Sequence, residues 1–465
     1  MQKGKRADRL SALPDDILIN ILDRLNLREA ARTSVLSRRW TQLCAKLPRL
    51  IISAQHSLPK GVLCTDISDD ELVRINAAVV QAMESILTRR NPGEHTIRLL
   101  STTFYLRDDV PISTGRAVGR AMAAHLVENT KFSVMTGKYD IIDLDEDDLV
   151  TAGRKFMLFF DACPSAFGGL TILDLENLRF GETDISKRPR HLQAAEAFAI
   201  VQLLARVQLN WLPQLTKMVF EGWLQFQDPL FIGHVPLLEA VSLTNLALSY
   251  SRMVELSEFL SGTSIRDLKL EFNSEKPECP TQSLASVFRQ LRFVNLASLP
   301  EGYDLTWTMF ILEAAPLLKE LYMTVWDHAC LTETDEEKRK ELSYSENKGV
   351  EWDSAAGGFQ HHSLATLVII GFESEDCFVN YVRRVMVAAV NLADVFLYSR
   401  SECGNCEEKP NRYPWTKRQR VSLKRRLAAG IESFAIFHFG AKRPGHAAKM
   451  EHPQCSLLEA KRSFT

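Results

Sequence analysis

The chain lacks a stretch approaching the roughly 18 uncharged apolar residues that a membrane-spanning helix needs, so no spanning segment is expected. Residues 1–9 are polar and basic with no apolar core, which predicts no secretory signal. No Asn-x-Ser/Thr sequon occurs, and the nine cysteines are an odd number scattered in no framework spacing. These absences favour a reducing compartment, cytoplasmic and/or nuclear, with free thiols. Neither sign of charge dominates: 56 Lys+Arg against 58 Asp+Glu give a net charge of -2, which excludes a global attraction to nucleic acid or anionic lipid. Phosphate-cradling, dinucleotide-binding, nucleophile-elbow and zinc-protease motifs are missing as well. Gly115 to Gly119 is too short for a phosphate loop and has no Lys-Ser/Thr ending. No catalytic residue and no cofactor are expected.

A few local features could still carry chemistry. Cys403-Gly-Asn-Cys406 has metal-like spacing, but a structural zinc site usually needs four ligands. The nearest candidates, Cys377 and His361 or His362, have no paired spacing, so a loop with two free thiols is expected and no metal. Lys417-Arg-Gln-Arg420 with Lys424-Arg-Arg426 forms a basic cluster. It reads either as a nucleic-acid or nuclear-import patch or as the solvated side of a surface helix, with Val421, Leu423 and Leu427 packing beneath. The acidic stretch Asp140 to Asp148 is expected to be a solvated loop or helix start. The charged stretch Glu333 to Glu341 is expected to be a surface insertion.

The first fifty residues are the most informative. Pro14 suits a first helical turn, and Asp15 and Asp16 sit at the positive end of the helix dipole. Ile17, Leu18, Ile21, Leu22 and Leu25 recur at helical spacing as one apolar stripe. A second short helix is expected from Arg28 to about Val35. Ser37 is a plausible cap for a third, carrying Leu36, Trp40, Leu43 and Leu47. Three short helices bury too little surface to stand alone, so the stripe packs either on the rest of the chain or on another protein.

Leu13-Pro-Asp-Asp-Ile-Leu18, Ile21-Leu-Asp-Arg-Leu25 and Ala31-Arg-Thr-Ser-Val-Leu-Ser-Arg-Arg-Trp40 together resemble the F-box of plant proteins. The resemblance implies binding to a Skp-type adaptor and, through it, to a cullin. Carried over by position, Leu13, Pro14, Ile17, Leu18, Ile21, Leu22 and Leu25 would form much of that contact. Val35, Leu36 and Trp40 would complete it or support it from behind.

Beyond the F-box, an L-x-x-L-x-L-x-x-apolar pattern recurs. It starts at Leu170, Leu215, Leu238, Ile265, Leu291, Leu318, Leu364 and Leu392, at intervals of 45, 23, 27, 26, 27, 46 and 28 residues. The short intervals fit a leucine-rich repeat and the two long ones are close to double. A weaker start lies at Ile97 and Leu100, and Ile431, Phe434, Ile436 and Phe439 resemble a terminal strand. Helices are expected between strands at Ala194 to Leu209, Arg252 to Leu260, Ser283 to Leu291 and Cys377 to Leu392. Pro164, Pro213, Pro236 and Pro316 are expected to stop the helices before the strands. The asparagine usual at the ninth repeat position is mostly Leu, Trp or Phe here, so a regular asparagine ladder is not expected. Residues from His361 to Arg400 resemble the FBD region of plant F-box proteins, which implies no enzymatic role.

The expected fold is α/β: a three-helix F-box followed by a curved leucine-rich-repeat solenoid with a parallel sheet on its concave face. The expected layout is a basic tail at 1–9, the F-box at 10–50, repeats at 51–360 with the charged insertion near 330–360, FBD-like repeats at 361–440, and a tail at 441–465. The resemblance implies a substrate-recognition subunit of a Skp-cullin-F-box ubiquitin ligase that holds an unidentified protein substrate on its repeats. The rivals are a repeat scaffold unconnected to ubiquitin and, against the charge balance, a nucleic-acid-associated factor.

Overall fold

The computed structural model describes residues 13–54, 68–91, 93–107, 110–136, 146–176, 178, 196–203, 207–212, 214–223, 230–244, 260, 263–272, 285–299, 305–325, 359–400 and 412–440. The chain divides into two compact units, Met1–Leu212 and Pro213–Thr465.

The first unit opens with α1 (Asp15–Leu22), α2 (Leu27–Arg32), a 3-10 turn at Thr33–Val35 and α3 (Arg38–Cys44). Pro14 is the cap of α1 rather than its first residue, and its carbonyl accepts from the Leu18 N–H. Asn26, expected to end the stripe, also starts the next helix, because its side chain accepts from the Glu29 N–H at 2.9 Å. Five strands follow: β1 (Arg49–Ser53), β2 (Leu99–Tyr105), β3 (Thr130–Met135), β4 (Ile172–Glu176) and β5 (Ala197–Leu203). Each pairs in parallel with the next. Helices α4 (Asp69–Thr88), α5 (Val110–Ala124), α6 (Glu146–Ala162) and α7 (Pro164–Gly168) lie between strands, as parallel crossovers require. The described residues between 52 and 150, which the repeat pattern barely touched, therefore form strand–helix repeats too.

The core of this unit is aromatic. Phe104 and Phe132, on adjacent strands, meet Phe159 of α6 at ring-centroid distances of 5.5 and 5.7 Å, and Phe132 meets Phe167 of α7 at 5.5 Å. Asn76 on α4 is fully buried and closes the end of β2: its amide donates to the Tyr105 carbonyl at 2.8 Å and its oxygen accepts from the Tyr105 N–H at 2.9 Å. One buried asparagine thus satisfies two main-chain groups that would otherwise be stranded.

In the second unit the paired strands are β7 (Lys217–Trp223), β9 (Ala240–Thr244), β10 (Asp267–Glu271), β11 (Phe293–Leu299), β12 (Glu320–Val325), β13 (Thr366–Ile370), β14 (Asp394–Tyr398) and β15 (Ile436–Gly440). They form a parallel sheet in chain order. Of two further strands, β6 (Val207–Trp211) lies at the end of the first unit and β8 (Leu230–His234) follows β7 in the second. The repeat leucines line up across the sheet: Val241, Leu268, Val294, Leu321, Leu367 and Val395 fall in one register column and are all fully buried. They face the helices α8 (Ala285–Phe288), α9 (Met309–Ala314), α10 (Asp376–Ala388) and α11 (Lys417–Ala428). Tyr381 of α10 shows this directly, reaching Met323 of β12 at 3.5 Å and the Thr308 hydroxyl at 2.6 Å. Gly371 follows β13 with φ +81°, where an added Cβ would overlap the Val325 carbonyl, so the approach of β12 to β13 requires glycine here.

The structure departs from the sequence reading at several points. Ala194 to Leu209, expected to be helical, contains β5 and the start of β6. Pro236 follows a strand, not a helix, whereas Pro164 ends α6 by opening α7 at its first position and Pro316 does follow α9. The terminal strand begins at Ile436, with Phe437 and Phe439 opposite Val395 and Leu397, so Phe434 lies ahead of it at 97% exposure. Val421 of α11 is 43% exposed and does not share the packing of buried Leu423 and Leu427. The segments at 252–259 and 333–341, together with Pro213, Cys403 and Cys406, lie outside the described residues.

Candidate functional site

The apolar stripe of the first fifty residues is split by the fold. Leu18 and Leu22 are fully buried and Trp40 nearly so, within the F-box itself. Ile17, Ile21 and Leu25 are 42%, 39% and 40% exposed, and Val35 and Leu36 reach 86% and 63%. Helical spacing explains the division: Leu18 and Leu22 share one side of α1, Ile17 and Ile21 the neighbouring one. Pro14 is exposed and Leu13 half-buried at the helix start. Five large apolar side chains are thus exposed within twenty residues.

Polar contacts hold that surface in place. Arg39 of α3 donates to the Asp15 carboxylate from Nε at 2.9 Å and from Nη2 at 2.8 Å, and to the Leu13 carbonyl at 2.6 Å. This fixes the start of α1 on α3. Arg49 of β1 donates to Asp23 Oδ2 at 2.9 Å and to the Asp23 carbonyl at 2.6 Å, tying the end of α1 to the first strand of the sheet. The exposed hydrophobics therefore sit on a braced frame. Neither arginine stood out in the sequence.

A second apolar cluster, largely buried, lies on the side of the second unit's sheet away from the helices. Tyr322, Val368, Phe396 and His438 are register partners across β12 to β15. Phe293 stacks against Tyr322 at 5.1 Å, Phe396 lies parallel to His438 at 4.3 Å, and Ile370 and Tyr398 complete the cluster. Burial raises the Tyr322 phenol to about 12, with the charge of Glu320 beside it adding to the effect. Phe396, Tyr398 and His438 remain partly exposed. The signal for this cluster was present as the positions between the repeat leucines.

Two buried side chains of the second unit bridge neighbouring repeats. The Tyr413 hydroxyl donates to the Leu397 carbonyl at 2.9 Å and accepts from the Gly440 N–H at 2.8 Å, between β14 and β15. His361 is buried, its Nδ1 accepting from the Leu364 N–H at 3.0 Å and its Nε2 donating to the Ala315 carbonyl at 2.9 Å. Both ring nitrogens are thus committed, and the ring is held neutral. Burial lowers the His361 pKa below the ordinary histidine value, outweighing the pull of the Ala315 carbonyl. The unfolded chain therefore takes up this proton first as pH falls, so the stabilising effect is complete above about pH 6.5 and declines below it. Urea midpoints measured from pH 7.5 to 5.5 are expected to fall less steeply for His361→Asn than for the native chain; equal slopes would show that His361 is not the group responsible.

Among the described residues no three His, Cys, Asp or Glu side chains gather as a metal site. His361, one of the candidate partners for the cysteine pair, is already bonded on both sides, and burial raises the thiol pKa of exposed Cys377. No helix among the described residues is long and apolar enough to cross a membrane.

Braced helices presenting apolar side chains, followed by parallel strand–helix repeats, fit an F-box domain ahead of a leucine-rich-repeat array. Residues 10–52 match the F-box domain family, and residues 184–431 match the At1g61320/AtMIF1 LRR domain family. The second match spans just over half of the chain, and the chain belongs to that family. It is similar to Arabidopsis thaliana proteins. Putative F-box/LRR-repeat protein At5g54820 is 44% identical over 70 residues, covering 15% of this chain and 14% of the relative. F-box/FBD/LRR-repeat protein At1g13570 is 30% identical over 107 residues, 23% and 24% of the two chains. Putative F-box/FBD/LRR-repeat protein At4g13965 is 27% identical over 149 residues, 31% of each. The chain thus spans less than a third of these curated relatives.

Proposed function

We propose that this chain is the substrate-recognition subunit of a Skp-cullin-F-box ubiquitin ligase, non-catalytic itself and working in the cytoplasm and/or nucleus. The observation that carries the reading is the exposure of Ile17, Ile21, Leu25, Val35 and Leu36 within a matched F-box. These five, with Pro14 and Leu13 at the rim, form the adaptor contact. Leu18, Leu22 and Trp40 contribute from behind by holding the helices together. In the assigned layout the F-box occupies 10–50, the repeats 51–360 and the FBD-like repeats 361–440. The repeats hold a protein substrate near a conjugating enzyme carried by the cullin. The gain is in effective concentration, because two linked binding sites make the second encounter nearly intramolecular.

The test is calorimetric titration of the purified full chain with a Skp-type adaptor. A complex with a dissociation constant of about micromolar or tighter is expected. No heat and no co-elution from a folded chain would overturn the ligase reading and leave a repeat scaffold.

A further inference from the structure

Among the described residues, the last strand of the second unit has one unpaired edge. No strand among the described residues lies beyond β15. In a parallel ladder, alternate residues direct both main-chain groups to one side. The Ile436 N–H donates to the Ala393 carbonyl at 2.7 Å and the Gly440 carbonyl accepts from the Ser399 N–H at 3.2 Å, so Ile436, His438 and Gly440 face β14. Phe437 and Phe439 therefore present their N–H and C=O groups outward. Unlike the other strands of this sheet, β15 is partly or fully exposed at every position, with Ile436 at 59%, and Phe434 just ahead of it is 97% exposed. An exposed, aromatic edge of this kind is a template for pairing unless charge or a covering element blocks it.

The helix beside this edge carries charge of one sign, whereas on the other side of the strand His438 Nε2 meets Asp394 Oδ1 at 2.7 Å. Helix α11 carries Lys417, Arg418, Arg420, Lys424, Arg425 and Arg426 and no acidic residue. Arg426 is paired with Asp376 at 2.6 Å. Arg420 and Lys424 lie over the Phe439 ring, at 5.5 and 5.6 Å from its centroid, and so stand on the helix side of the terminal strand. Two copies of this edge pairing with each other would bring two such helices together, and the repulsion disfavours it. Residues 441–465 are also basic, with Lys442, Arg443, Lys449, Lys461 and Arg462 against Glu451 and Glu459.

We propose that the β15 edge binds an extended, acidic segment of a partner protein as an added strand. Main-chain bonds form to Phe437 and Phe439, acidic side chains meet Arg420 and Lys424 on the helix side, and apolar ones cover Phe434 and Ile436 on the other. This names the class of segment that the substrate-receptor reading leaves open and rests on that reading for its biological meaning. The binding itself is tested without adaptor, so the two can fail separately.

The probe is a blocked peptide of alternating Glu and Val, about ten residues long to match a strand pairing. Its binding to the full chain is followed by fluorescence anisotropy and amide hydrogen exchange. The Phe437 and Phe439 amides are expected to exchange freely in the free chain and to slow on peptide addition, while those of Ile436 and His438 are slow throughout. Phe437→Pro removes an outward donor without touching the β14 ladder and is expected to weaken binding at least about tenfold. Phe434→Ser, at a fully exposed position, is expected to weaken it with an unchanged melting midpoint. Outer amides already protected in the free chain would overturn the proposal, since the chain would then cover its own edge. Equal binding of a Lys-Val peptide would also overturn it, as would equal competition by a single-stranded oligonucleotide.

Discussion

Aspartates in place of Ile17 and Ile21 are expected to weaken adaptor binding by at least about a hundredfold, which is roughly 2.7 kcal/mol, while leaving the thermal midpoint of the chain almost unchanged. Both side chains stand in solvent, so the free protein loses little when they are replaced. In the complex each carboxylate would have to be desolvated against an apolar surface with no partner, which costs at least a few kcal/mol per group. Leu18→Ala is expected to behave in the opposite way. Leu18 is fully buried, and losing its side chain leaves a cavity costing about 2–5 kcal/mol, enough to loosen three short helices before any partner arrives. Calorimetry and circular dichroism on the two variants separate the roles. Should the aspartates leave binding intact, the contact must lie elsewhere on the F-box, and the exposed row would need another partner.

Phe132→Ala is expected to lower unfolding free energy by about 3–5 kcal/mol, among the largest effects of any single change in the first unit. Its ring is fully buried and lies within 6 Å of Phe104, Phe159 and Phe167, at 5.9, 5.7 and 5.5 Å. These contacts link two strands to two helices, and aromatic pairs add about 0.5–1.5 kcal/mol beyond burial. Urea unfolding combined with hydrogen exchange of β2 and β3 measures it. A loss below about 1.5 kcal/mol, the scale of a volume-conserving swap, would mean that neighbouring rings close the gap.

The second unit was legible because the leucine positions of its repeats are filled by Leu, Val, Ile, Met or Phe throughout. From Leu215 to Leu392 every recorded start falls two residues ahead of a strand, as at Leu318 and β12 or Leu364 and β13. The first unit showed its repeats only at Leu170, ahead of β4, and weakly at Ile97, ahead of β2. Thr102 and Thr130 occupy buried positions that the pattern expects to be apolar, and the crossovers are long helices such as α4 and α6. Ala194 to Leu209 was misread because a short apolar run has no period that distinguishes strand from helix. On the F-box, spacing identified the stripe but could not divide it. Leu18 and Ile17 are neighbours on one helix, and which of them faces inward depends on where α3 packs. Arg49, Asn76 and Tyr413 carry no motif, and Arg39 lies in the F-box-like stretch without a role that spacing reveals; their roles arise from main-chain groups brought near them by folding.

In each unit the parallel strands pair with strands close to them in the chain, and β1 is already fastened to the F-box by Arg49 and Asp23. During synthesis the helices of the F-box emerge first, then β1, then each later strand. Every new strand of the first unit meets an edge that is already complete and needs nothing that has yet to be translated. Order along the messenger thus becomes order of assembly. A ribosome pausing between repeats would expose one unfinished edge rather than an unfolded chain.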